Sequence, residues 1–420
     1  MMKKATLYLV ASLVCIGIIA VVIFKYRAGM HKENNSAYVL LPRKGAAATT
    51  EEWKNTRLRA AALLRSIAAD STDKKSLIAL ARLYIQEGRI TGNYAYYDKA
   101  ALKYAKDALK LDPDNFEASV TESVIYLSQH HFADGLKTAK KILIKNPYSS
   151  YVYGLIVDGN VEMGYYDSAV NSAEKMIDLR PDLRSYSRVS YLREIYGDYA
   201  GAIEAMKLAV DAGAPGDETT EWARIQLGHL YENTGDFQNA KMQYTIALNE
   251  RPGYAYALAG LARLAVAQKD YQAAIKYYTE ANTQVKDFSI QEGLSDAYRL
   301  SGQPDKAAAL EQNIISEMNK EALSGNTDEN IGHYVDRELA YAYLNVHEYN
   351  KALEHALLEY NRRPNNIDVN EAVAWVYYNR GEYDKALPYL KTALKTNSKN
   401  PTLLHRAQLL EAKLELAKSN

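Results

Sequence analysis

After an uncharged, mainly apolar run from Ala5 to Phe24, apolar residues recur every three or four positions, the period of a helix with one buried face. These stretches come in pairs. Between the members of a pair lies a short polar turn ending in an aromatic or a proline: Phe132, Tyr166, Tyr199, Phe237, Tyr271, Pro304, Tyr349 and Tyr383. The spacings are 34, 33, 38, 34, 33, 45 and 34, which predicts one helical hairpin copied along the chain. A single hairpin cannot bury its apolar face, so stability has to come from stacking neighbours. The expected fold is therefore an all-α solenoid in place of a globular enzyme core.

The hairpin over residues 227–252 carries the pattern most fully. It reads Leu227, Gly228 and Tyr231, then Gly235-Asp236-Phe237, then Ala240, Tyr244, Ala247 and Pro252. Small residues (Gly228, Ala240, Ala247) belong where two helices approach closely, and Gly235 suits a left-handed stop to the first helix. Phe237 and Tyr244 fill the gap between helices, and Pro252 ends the second helix. This motif resembles the tetratricopeptide repeat. The resemblance covers residues 74–400 and implies about nine hairpins in a right-handed superhelix, within an array assigned to residues 51–400. Glu51 to Ala69 reads as a preceding helix with Trp53, Leu58, Ala61, Ala62, Leu64 and Ile67 on one stripe, and residues 401–420 read as a capping helix. Two irregularities are expected: an insertion from Arg89 to Tyr96 in the first hairpin, and a polar loop from Glu321 to Gly332 that bends or hinges the array.

Ala5 to Phe24 holds no charge, and its 20 residues would span roughly 30 Å as a helix, one bilayer core. No small-x-small cleavage site follows nearby, so an uncleaved signal anchor is expected over 5–24, with a flexible tether over 25–50. Positive charge leans toward a cytosolic C-terminal side. The Met-Met-Lys-Lys start and the cysteine-free repeats point the other way, and the expectation adopted is a bacterial inner-membrane anchor with periplasmic repeats.

Composition narrows the function. Lys plus Arg and Asp plus Glu are 51 each, so no net field draws the chain to nucleic acid, and no nucleic-acid partner is expected. The single cysteine, Cys15, excludes disulfides, thiolate zinc sites and a cysteine nucleophile from everything after it. The 35 tyrosines suit shallow helix interfaces, where a ring packs and its hydroxyl meets water. No histidine pair has metal-ligand spacing, no glycine-rich phosphate loop occurs, and no metal, cofactor or catalytic residue is expected.

The resemblance further implies that the first helix of each hairpin lines a concave groove. Mapped onto this sequence, the groove positions hold Tyr151, Tyr191, Trp222, His229, Tyr256, Arg263, Arg337, Tyr341, Trp375 and Tyr378, with Arg299 alongside. Aromatic rings and arginines suit an extended protein or peptide partner. The Lys and Asn pair with which relatives clamp a terminal carboxylate is missing. A membrane-anchored, non-catalytic scaffold is the expected function. A glycan or small-ligand binder and a regulatory subunit of a membrane enzyme or secretion complex are the alternatives.

Overall fold

The computed structural model describes residues 38–326 and 332–419. Residues 38–41 contain no helix or strand, and the packed body runs from Pro42 onward. Among the described residues there are twenty α-helices and no strand. The anchor expected at 5–24 lies outside them, and no described helix is long and apolar enough to cross a membrane.

Helix α1 spans Glu51–Ala69. Nine hairpins follow, each with a first helix A and a second helix B: α2 Lys74–Thr91 with α3 Tyr94–Leu111, α4 Phe116–Ser128 with α5 Phe132–Lys145, and α6 Ser150–Glu162 with α7 Tyr166–Leu179. Next come α8 Leu183–Ile195 with α9 Tyr199–Asp211, α10 Glu218–Asn233 with α11 Phe237–Glu250, and α12 Ala255–Ala267 with α13 Tyr271–Gln284. The last three are α14 Phe288–Leu300 with α15 Pro304–Asn326, α16 Asp336–Asn345 with α17 Tyr349–Arg362, and α18 Ile367–Asn379 with α19 Tyr383–Ala393. Helix α20, Pro401–Ser419, closes the array and buries Leu403, Ala407 and Leu410.

The aromatic or proline that sets the sequence beat is the first residue of every B helix after α3, which itself starts at Tyr94. Two residues earlier each turn passes through left-handed backbone, at Gly92, His130, Gly164, Gly197, Gly235, Lys269, Gly302, His347 and Gly381, with φ between 60° and 80°. From the second hairpin on, the next amide reaches back five residues to close the A helix, as when Asp236 N donates to the Tyr231 carbonyl at 2.9 Å. Gly228 sits against the ring of Tyr244, and a Cβ on Gly260 would lie 2.7 Å from that ring. Tyr244 is fully buried between successive A helices.

Three expectations are corrected. The first hairpin holds no inserted loop: residues 89–91 continue α2 and Tyr94–Tyr96 begin α3, because only Gly92-Asn93 breaks the helical run. The polar stretch from Glu321 is helical to Asn326, where α15 ends. In α1 only Trp53 of the expected stripe is buried, while Leu58, Ala61 and Ala62 are exposed, since this helix packs chiefly along α2. The tether reading also meets structure. Residues 45–49 form a turn of 3-10 helix, and Arg43 is buried against Glu87, with its Nη2 2.6 Å from Oε1.

The superhelix coils tightly enough to touch itself about 200 residues on. The turn of each of the first four hairpins meets the junction that follows the hairpin five places later. Lys286 N donates to the Thr91 carbonyl at 3.1 Å, and Tyr334 N to the Gln129 carbonyl at 3.2 Å. Asn366 Nδ2 donates to the Glu162 carbonyl at 3.0 Å, and Ile367 N to the Tyr166 hydroxyl at 2.9 Å. The turn at Gly197 lies against the Asn397 carbonyl. Gly164 sits so close to the Asn365 backbone that no side chain fits, which adds a second reason for glycine there.

Candidate functional site

The A helices of the first five hairpins wall a cavity of about 1240 Å³. Each contributes because its B helix and its neighbours take its other faces. Buried Leu155 and Val157 hold α6, and Leu227 and Leu230 hold α10, which leaves Tyr151 and Trp222 turned inward.

Three of the ten predicted groove residues come together here. Tyr151, Tyr191 and Trp222 line the cavity with 38, 42 and 38% of their surface exposed. Arg184 lies over the Tyr151 ring at 4.9 Å. The other seven stand elsewhere. Tyr256 lines a smaller cavity of about 200 Å³, edge-on to Tyr254, and His229 is exposed. Arg263 is held by Glu232 at 3.0 Å and by the Tyr244 hydroxyl at 3.1 Å. Arg337 pairs with Glu338 at 3.1 Å and with Asp368 at 3.7 Å. Trp375 and Tyr378 stack at 4.7 Å, with Arg406 4.9 Å from the Trp375 ring and 3.1 Å from the Tyr341 hydroxyl. Five of those seven thus already spend their recognition chemistry inside the protein.

Carboxylates are the part of the wall that the groove mapping missed. Six of them (Glu117, Asp158, Glu162, Glu194, Asp217, Glu218) face four arginines (Arg82, Arg89, Arg184, Arg188). Arg82 pairs with Glu117, and Arg89 with Glu218 at 3.1 Å. Arg188 grips Asp158 with two bonds of 2.8 and 2.5 Å. Glu162 takes Arg363 from the next superhelical turn at 2.5 Å. Among the described residues, the Glu194 carboxylate accepts from the Asn233 amide alone, at 3.2 Å. Burial, above all, pushes the Glu194 carboxyl up, Asn233 opposes this, and the nearby charge of Asp368 adds to it. Burial likewise raises Glu162 against the pull of Arg363.

Among the described residues no cluster of histidine, cysteine and carboxylate could hold a metal ion. The three histidines that do meet sit on the seam between superhelical turns. His130 Nδ1–H donates to the Tyr334 carbonyl at 2.8 Å and His131 Nε2–H to the Gly332 carbonyl at 2.7 Å. His333 lies edge-on to His130 at 4.3 Å. A carbonyl can only accept, so these bonds fix both tautomers and serve structure.

Two family models match, each described as tetratricopeptide repeat, over residues 225–287 and 371–402. Those residues carry tetratricopeptide repeats. The matched residues are most of the fifth hairpin, the sixth, and most of the ninth. Among curated proteins none matches the chain. Solved structures share the fold. The crystal structure of the APC/C hetero-tetramer Cut9-Hcn1 aligns over 87% of this chain and 60% of that one, at 15% identity and a TM-score of 0.50. The human IFIT1 dimer with PPP-AAAA aligns over 77% of this chain and 73% of that one, at 14% identity and a TM-score of 0.50. This chain therefore spans only about three fifths of the first of these proteins.

Proposed function

We propose that this tetratricopeptide-repeat protein is a non-catalytic scaffold that binds a protein or peptide segment inside its first superhelical turn. The observation that carries this reading is the cavity of about 1240 Å³ into which Tyr151, Tyr191 and Trp222 project as exposed rings. That volume exceeds the roughly 300–1,000 Å³ usual for small ligands, which favours a length of chain over a single sugar or metabolite. Rings of low conformational entropy in a walled space are the usual anchors of such binding. An RNA ligand, as in the IFIT1 complex, would need a cationic wall, and here carboxylates outnumber arginines.

The scaffold is held at a membrane by residues 5–24, with its repeats on the periplasmic side, in the fuller form of this reading. Protease treatment of spheroplasts checks the orientation, since periplasmic repeats are degraded without lysis. The binding site is checked by a photo-crosslinking amino acid placed in cells at Tyr191, Trp222 or the outer-surface Tyr148, which is 84% exposed. Adducts of one defined partner are expected from the first two positions and not from the third. Equal labelling at all three would refute the cavity as the site.

A further inference from the structure

The charges of the cavity wall specify its occupant more closely than its rings do. Three of the four wall arginines are committed to wall carboxylates, and the fourth, Arg184, lies against Tyr151. An anionic ligand that took one of those three would leave its carboxylate uncompensated, so of the four arginines Arg184 alone is open to it. A cation meets the opposite situation. Glu194 reaches the cavity with one amide donor and no cation among the described residues. Tyr191 stands one helical turn before it on α8, and burial first, then the charge of Asp368 from the next superhelical turn, raise the proton affinity of both. A carboxylate beside an open aromatic face is the chemistry that holds an ammonium or guanidinium group.

Resting on the peptide-binding reading above, we propose that the partner segment is basic, and that Glu194 with Tyr191 takes one of its lysine or arginine side chains. Bringing that cation in removes the uncompensated charge, so binding the segment and settling the wall are one event. Trp222, on α10, offers apolar contact to the rest of the segment.

The test uses fluorescent dodecapeptides of one Ala-Ser-Tyr background carrying three Lys, three Gln or three Glu, and measures anisotropy with the full chain in detergent. The Lys peptide is expected to bind at least about tenfold more tightly than the Glu peptide, with the advantage shrinking as salt is raised. Glu194→Gln should cost the Lys peptide about tenfold and leave the Gln peptide unchanged. Equal or tighter binding of the Glu peptide, or of an oligoadenylate, would overturn the proposal, as would a Glu194→Gln protein that keeps the Lys preference. If that variant does not fold, the ranking of the three peptides on the unaltered chain still decides. Should the cavity crosslinks appear in cells while no Lys preference is measured, the basic-partner proposal fails and the peptide-binding reading stands. Absence of both sinks the two together.

Discussion

Residue identity at the hairpin turn has an energetic consequence that differs from repeat to repeat. Six of the nine turns place glycine in the left-handed position, and three place His130, Lys269 or His347 there. A side chain in that conformation costs about 1–2 kcal/mol, against about 0.5–1 kcal/mol for the extra freedom of glycine in the unfolded chain. Lys269 is exposed, and the bond from its backbone N to the Val266 carbonyl survives substitution. Lys269→Gly should therefore stabilise the protein by roughly 0.5 kcal/mol, read as a rise in melting temperature. His130→Gly should do the reverse by about 1–2 kcal/mol, because the imidazole bonded to the Tyr334 carbonyl is lost. Equal shifts in the two variants would show that backbone strain alone governs this position. The glycine turns were legible in the sequence. That a histidine occupies the same slot because it faces a segment 204 residues away was not.

At the level of elements, the junction Gly332–Val335 is clamped on the turn between α4 and α5, and two groups of opposite pH preference are shut in beside it. His333 is driven down to about 3, first by burial and then by the adjacent His130 imidazole, with His131 adding to this and Glu338 opposing it. Asp98 is pushed up to about 7 by burial, with the Ser128 hydroxyl opposing. Both line one small void. The neutral form is the one the fold accepts in each case, and the signs follow. His333 weakens the fold as pH falls below its unfolded value near 6.5, by about 2 kcal/mol at pH 5. Asp98 weakens it as pH rises from about 4 through 7, by a similar amount between pH 5 and 7. The two nearly cancel in the native protein, so single variants reveal them. His333→Phe should gain stability relative to the native chain at pH 5 and not at pH 7.5, and Asp98→Asn should gain about 2–3 kcal/mol more at pH 7.5 than at pH 5. Urea titrations at both pH values measure this, and pH-independent differences would mean that neither group is held neutral. Periodicity gave the helices on either side of this contact. It offered no signal for the contact itself, because the residues that meet lie five repeats apart and belong to no common motif.

For the molecule as a whole, the question is what turns an open array into a walled cavity. Stacking of identical hairpins sets a superhelix, but its pitch follows from small rotations between repeats that a sequence motif does not encode. Here about 200 residues complete one turn, and side chains then bridge the turns. Arg363, 4% exposed, bonds Glu359 at 2.5 Å on its own helix end and Glu162 at 2.5 Å on the preceding turn, and it covers the Phe132 ring at 4.5 Å. Asn366 adds bonds to the Val161 and Glu162 carbonyls. This explains why only part of the candidate site was legible. Tyr151, Tyr191 and Trp222 follow from repeat positions alone. The state of Glu162 and Glu194 depends on Arg363 and Asp368, which arrive from the next turn. Removing the bridge should open the coil. Arg363→Ala with Asn366→Ala strands Glu162 and should cost roughly 3–5 kcal/mol at the seam. The A-to-B packing within each hairpin is left intact by this pair. X-ray scattering should then report a larger radius of gyration with unchanged helical circular dichroism, and the Lys-peptide preference should weaken as the wall separates. An unchanged radius of gyration would mean that the pitch is fixed by stacking between neighbouring hairpins and that the seam merely rests upon it.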